Sequence, residues 1–361
     1  MGCDGEAGMY PLLRTGPPAP TVPGPKTSQR KAGWKSVGLG QQAEGRWVGV
    51  EPVTELVRWA RAYFGVQAVA GACWWVAVFM SPAVRVATLG NLDPITVAIL
   101  DIPLFVIASA MAAAGVRAAA VVGAGWTCAV AIAMAVYATV TTEAGWGVLT
   151  MGAAAGASLA SLGVILRGRV PTSWIIRGPF AFRPATVRSS AAIHVLSTFG
   201  QIVLFWGFFL AMIPLGIAFF EQRWAVAIPL PSVTGPVGVG VLVLASALGI
   251  WSAVVMSALG NGTPLPAAMP NRLVIAGPYR WIRNPMAVAG IVQGAAVGII
   301  LQSWLVIAYA VVGSLVWNYV VRPREEADLL DRFGADFERY RDTVRCWVPR
   351  MPKAPRSASL L

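Results

Sequence analysis

The chain has 361 residues, 57% of them hydrophobic and 12% charged, with a formal net charge of +12. A soluble domain carries about 25% charged residues, so a water-surrounded globule is excluded and an apolar solvent, the bilayer, is required. The Arg and Lys residues lie between apolar runs, where they read as topology signals and headgroup contacts, so no nucleic-acid partner is expected.

In chain order, residues 1–55 read as a disordered cytoplasmic tail, rich in Gly and Pro around Thr15–Pro25. The first long apolar run is too long for a signal-peptide core. A transmembrane helix needs about 20 mostly apolar residues. Eight runs meet that need: Ala62–Ser81, Pro94–Val116, Ala118–Thr141, Gly147–Leu166, Val195–Phe220, Thr234–Gly260, Pro285–Gln302 and Trp304–Val321. Residues 56–168 form a four-helix membrane region with no assigned role. Residues 169–192 form a basic cytoplasmic linker, and residues 193–361 a second four-helix membrane domain with a cytoplasmic C-terminal segment. Only Ser303 separates the last two runs, which predicts a tight antiparallel hairpin.

With eight spans, every strongly basic loop falls on one side. By the positive-inside rule that side is the cytoplasm, and both termini are expected there, in the plasma or inner membrane if the source is bacterial. After Arg322 the pattern changes. Leu329, Leu330, Phe333, Phe337 and Tyr340 recur at helical spacing with charged residues between them, which predicts an amphipathic helix bent at Gly334. The fold class is therefore all-α: a polytopic helical membrane protein of about eight spans with a C-terminal amphipathic helix.

Four cysteines, at 3, 73, 128 and 346, have no zinc or redox spacing, and with one histidine, His194, no metal site is expected. His194 reads as interfacial, Gln201 and Pro214 as packing or a kink, and the run Gly152–Ala157 as close helix packing. Asp101 lies inside the second span just before Pro103. An intramembrane carboxylate is costly and marks either a functional site or a group paired where proline opens the backbone.

The residues that can carry chemistry lie at Asn271–Met286, before the seventh span, and at Arg322–Gly334, after the eighth. The hairpin brings both to one membrane edge. Gly277-Pro278 makes a tight turn. Asn284-Pro285 starts a helix with a capping residue and proline at the first helical position, and free N–H groups there favour an anionic group. Tyr279 and Trp281 supply flat aromatic surfaces. Glu325 and Glu326 supply acceptors for hydroxyl or amine donors. Such a set suits a zwitterionic, ring-bearing ligand. Taken singly, Arg-rich loops are headgroup anchors, and a Glu pair at a helix start complements the helix dipole.

Leu273-Val274, Gly277-Pro278-Tyr279-Arg280, Arg283-Asn284-Pro285-Met286, Glu325-Glu326, Phe333-Gly334, Tyr340 and Val348-Pro349-Arg350 follow one another around the hairpin. In this order they resemble the isoprenylcysteine carboxyl methyltransferase family, within the membrane phospholipid and isoprenylcysteine methyltransferases. Gly262-Thr263-Pro264 is similar to bacterial members. The resemblance covers about the last quarter of the chain and implies an S-adenosylmethionine-dependent methyltransferase acting on a lipophilic methyl acceptor, lipid-like or prenylated. It implies cofactor contacts from Asn271, Arg272, Leu273, Val274, Tyr279, Asn284, Pro285, Met286, Ala287 and Glu325. Arg283, Arg322, Glu325 and Glu326 become the catalytic candidates. An arginine would orient a carboxylate acceptor, and a glutamate would serve as base for an amine or thiol. Eukaryotic members have histidine at the place of Asn284, and a tyrosine is usual at the place of Ala287. Two alternatives stand beside this reading: a transporter or channel using Asp101, and a catalytically inactive scaffold.

Overall fold

The computed structural model describes residues 51–169, 191–260, 262–263 and 270–349. The expected N-terminal tail, most of the basic linker, the His194 side chain, Pro264 and the residues from Arg350 onward lie outside the described residues.

Every regular element among the described residues is helical. Seven helices are long and apolar enough to cross a membrane, and an eighth apolar helix, Pro285–Ile300, has 16 residues. At 1.5 Å per residue it reaches about 24 Å, short of a hydrocarbon core of about 30 Å. It completes the expected eight by its place in the chain, not by its length.

The front bundle holds α1 (Glu51–Met80), α2 (Pro82–Leu89), α3 (Pro94–Asp101), α4 (Ala108–Ala113), α5 (Arg117–Thr141) and α6 (Gly145–Arg167). Helix α1 begins eleven residues earlier than hydropathy predicts, because Glu51–Arg61 is helical although it is too polar for lipid. Short polar residues punctuate the bundle. Ser81 and Asp93 accept hydrogen bonds from Val84 and Thr96 N–H, each followed by proline at the first helical position, so α2 and α3 start where sequence rules place a helix. Pro103 removes a backbone donor, and Ile102–Ile107 loosens into a π-helical stretch joining α3 to α4.

The back bundle holds α7 (Ala191–Trp206), α8 (Ile213–Arg223), α9 (Thr234–Gly260), α10 (Pro285–Ile300) and α11 (Trp304–Val316). A π-helical stretch, Gly207–Met212, joins α7 to α8 just before Pro214, which confirms the expected irregularity there. The Tyr309 hydroxyl donates to the Phe209 carbonyl within that stretch at 3.3 Å. Helix α11 continues through the π-helical Trp317–Val321 into α12 (Arg322–Phe333) and α13 (Ala335–Thr343). Seven charged residues in α12 end the membrane-spanning part at Val321. Gly334, at φ 51°, breaks α12 from α13, as the amphipathic pattern predicts.

Helix α10 returns as α11 through Leu301–Ser303. Gln302 there sits at φ 54°, and its amide donates to the Thr234 hydroxyl at 3.0 Å and the Ile299 carbonyl at 2.9 Å. A Cβ on Gly298 would meet Ile307 N at 2.8 Å, and one on Gly294 would meet Ala310 Cβ at 3.1 Å. These small residues let the two backbones approach. Glu221, fully buried at the end of α8, accepts from the Ser303 hydroxyl and from the N–H groups of Trp304 at 3.3 Å and Leu305 at 3.1 Å. The carboxylate thus satisfies orphan donors at the start of α11 and favours the positive helix end.

The bundles meet at this same end. Trp224 Nε1 donates to the Thr139 hydroxyl at 2.9 Å, and Trp146 stacks on Trp304 with ring centroids 6.0 Å apart. The close-packing glycines are not those expected. Gly152 and Gly156 are exposed and have open space where a Cβ would stand. A Cβ on Gly145 would instead fall on the Trp224 carbonyl oxygen, and one on Gly147 on the Thr88 carbonyl oxygen. Gly145→Ala and Gly147→Ala should therefore each lower stability by about 1–3 kcal/mol through overpacking. Gly152→Ala should leave it unchanged or raise it by a few tenths, since alanine is the better helix former. Thermal unfolding in one detergent checks the contrast.

Candidate functional site

Gly277–Arg280 forms one turn of 3-10 helix, started by Gly277 at φ 53°, a conformation open to residues without Cβ. The turn buries Pro278 and Tyr279 and leaves Arg280 exposed. Trp281 lies edge-on to Trp251 of α9, with centroids 5.9 Å apart.

The C-terminal segment covers this turn. Phe337, Tyr340 and Val344 form a buried cluster with Leu273, Leu329, Leu330 and Phe333, so the apolar stripe of α12 and α13 packs on the 270s loop rather than on lipid. The Tyr340 hydroxyl donates to the Tyr279 carbonyl at 2.7 Å, and Arg283 N–H donates to the Arg345 carbonyl at 3.0 Å. Arg332 donates to the Pro270 carbonyl and pairs with Asp328 at 3.3 Å. Trp347 Nε1 donates to Asn318 Oδ1 at 3.1 Å, and its ring stands edge-on to Trp317. The last two links join residues 29 and 30 positions apart, with no local pattern to announce them.

Two of the catalytic candidates pair with each other. Arg283 and Glu326 form an ion pair at 3.3 Å, their side chains 11% and 23% exposed. Arg283 also donates to the Arg341 carbonyl at 3.2 Å, so this guanidinium is committed to holding the C-terminal segment. The Nε of Arg322, like that of Arg283, is buried with no hydrogen-bond partner among the described residues, but no ion pair there includes Arg322.

Glu325 stands beside the Tyr279 turn. Burial chiefly, and then the neighbouring Glu326 and Asp328 carboxylates, push its carboxyl up to about 7. Burial also raises the Tyr279 hydroxyl well above its usual range, reinforced by Tyr340 and by the charge of Glu325. Tyr340 is raised by burial, against the lowering effect of Arg283. The two sequence segments therefore do lie together.

The other expected positions divide. Asn271 and Arg272 are exposed, with their N–H groups on the Gly260 carbonyl at 2.7 and 3.1 Å. Leu273 belongs to the C-terminal cluster, and Val274 and Pro285 are buried. The Asn284 side chain makes no cap for α10; its amide points to Cys346 Sγ at 3.4 Å. Tertiary packing has taken the expected capping residue, which leaves the first-turn N–H groups of α10, those of Met286 and Ala287, without a side-chain cap. Those donors and the Arg322 Nε suit a carboxylate, and Glu325 suits a cation or hydroxyls. The set fits an amino-acid-bearing sulfonium cofactor.

Ala287 also lines an apolar cavity of about 360 Å³ between α7, α10 and α11, along with Trp206, Leu210, Gly290, Tyr309 and Trp317. Its lining runs along α10 from Ala287 to Gly294 and along α11 from Tyr309 to Gly313, then Trp317.

No curated protein and no solved structure matches the chain. Residues 234–336, from the start of α9 into α13, match the family model of the phospholipid methyltransferases. That match spans the Gly277–Met286 turn and Glu325, and it makes this part of the chain similar to the membrane methyltransferase superfamily that includes the isoprenylcysteine carboxyl methyltransferases.

Proposed function

We propose that the back bundle transfers a methyl group from S-adenosylmethionine to a lipophilic acceptor at the cytoplasmic edge of the membrane. The observation that carries this reading is the closure of the Gly277–Met286 turn against Glu325 and Glu326, with the next residue, Ala287, lining an apolar cavity. The basic loops at that end of the bundle support the cytoplasmic orientation.

When bound, the cofactor supplies a sulfonium methyl group that is already electrophilic. The protein's task is alignment and exclusion of water. The Arg322 Nε and the α10 N–H groups would hold the donor carboxylate, and Glu325 its hydroxyl or ammonium groups. The Tyr340 and Arg283 links keep α13 closed over the turn. The acceptor's chain would occupy the apolar cavity, its head at the Ala287–Trp317 end. The acceptor classes separate by residue. A carboxylate would be oriented by Arg322, whereas an amine or thiol would give its proton to Glu325, whose carboxyl, at about 7, is poised as a base near neutral pH.

The experiment is incubation of the purified chain with labelled donor and total membrane lipid, then identification of the labelled product. Donor affinity should rise as pH climbs from about 6 to about 8, because Glu325 passes from its neutral to its charged form across that window. Glu325→Gln should flatten the profile and weaken binding by about tenfold. No donor binding at any pH would favour the transporter alternative.

The two arginines should behave oppositely. Arg283→Ala should lower stability by about 1–3 kcal/mol, since it leaves Glu326 partly buried without its cation. Arg322→Ala should spare the melting temperature and lower turnover. Gly290→Leu places its Cβ in open space inside the cavity. It should leave donor binding intact while reducing methylation of a long-chain acceptor by about tenfold or more, read as kcat/KM.

A further inference from the structure

The front bundle contains a second cavity of about 340 Å³, enclosed by α1, α3, α5 and α6 and distant in sequence from the site above. Tyr63, Val66, Gln67, Ala70, Gly71 and Trp74 recur along its α1 wall at helical spacing. Val66 is 67% exposed, so the cavity has a lipid-facing edge along α1. The interior is almost wholly apolar, with one carboxylate, Asp101, in its wall.

That carboxyl group is held by two indoles. Trp75 Nε1 donates to Asp101 Oδ2 at 2.9 Å, and Trp126 Nε1 donates to Oδ1 at 2.8 Å. Two indoles from different helices fix its orientation, and none of the ion pairs among the described residues includes it. Each carboxylate oxygen keeps a further acceptor position beyond its indole. Asp101 is 5% exposed and stands about 10 Å along α3 from Pro94, inside the hydrocarbon depth. The pairing expected at Pro103 is not what holds it: its partners are side chains, not opened backbone.

The other polar groups nearby satisfy one another. Gln67 donates to the Ser109 hydroxyl at 3.0 Å and accepts from the Ser158 hydroxyl at 2.8 Å, while the Tyr63 hydroxyl donates to Gln67 Oε1 and the Ala154 carbonyl. Trp74 Nε1 donates to the Thr88 hydroxyl at 3.2 Å. Asp101 is the one acidic residue lining the cavity among the described residues, and a buried carboxyl group with open acceptor positions and no cation is a specificity element for a positive ligand.

We infer that the front bundle binds a membrane-dissolved cationic amphiphile, a lipophilic amine whose apolar chain fills the α1–α6 cavity and whose ammonium group pairs with Asp101. This site stands independently of methyl transfer in the back bundle.

The test uses the full chain in phosphatidylcholine nanodiscs, with a long-chain primary alkylamine bearing a diazirine in its chain. Irradiation should label α1 and α6 at Val66, Ala70 and Met151. Excess tetradecylamine should suppress labelling about tenfold better than tetradecanol of the same length. Asp101→Asn should abolish that preference. Ala70→Phe, which fills the cavity from its edge without touching the carboxylate, should abolish labelling at Met151. Melting temperatures within a few degrees of the parent show that both variants are folded, and a variant that unfolds is replaced by Ala154→Phe. Equal competition by amine and alcohol, or label spread over the lipid-facing surface of all helices, would overturn the proposal.

Discussion

The back bundle depends on the tight return of α10 into α11. In lipid no water can satisfy the backbone at such a turn, so the protein must supply the partners itself. Glu221 does so, reaching from α8 to the Ser303 hydroxyl and the first N–H groups of α11. Gly294 and Gly298 then let the two helices run close together. With that end tied, the opposite ends of the same helices are held side by side. There α10 starts at Asn284-Pro285 and α12 starts at Arg322.

A second closure acts at the site itself. Helix α11 does not stop at the membrane but continues as α12, turns at Gly334 and folds α13 back over the Tyr279 turn. The Arg283–Glu326 pair and the Tyr340 hydroxyl hold this cover in place. Enclosure is also what displaces Glu325, since burial and two neighbouring carboxylates raise it into the neutral range. Under the proposed function, the same packing would prepare the group for binding a cation or accepting a proton.

The front bundle follows a different logic. Its cavity is bounded by helices whose polar residues bond to each other across the bundle, from Tyr63 through Gln67 to Ser109 and Ser158. Its contact with the back bundle is local, made by Trp224, Trp146 and Gly145 at the Glu221 end. Among the described residues the two halves touch at that end, and each keeps its cavity within its own helices.

Hydropathy alone determined that this chain is a bundle of membrane helices, because long apolar runs have one solution in lipid. Proline and glycine were equally legible: Pro103 and Pro214 mark the π-helical stretches, and Gly334 the break before α13. The motif order around the hairpin also announced that the Tyr279 turn and Glu325 would meet. Tertiary structure alone decided what each polar side chain does. Asn284 left its capping place for Cys346, and Arg283 became a clasp while Arg322 makes no ion pair among the described residues. The glycines that pack closely proved to be Gly145 and Gly147, not the Gly152–Ala157 run. Sequence spacing tells which residues share a helix face. Which neighbour that face meets, across residues such as Asn318 and Trp347 or Asp101 and Trp126, depends on contacts between helices that no local pattern encodes.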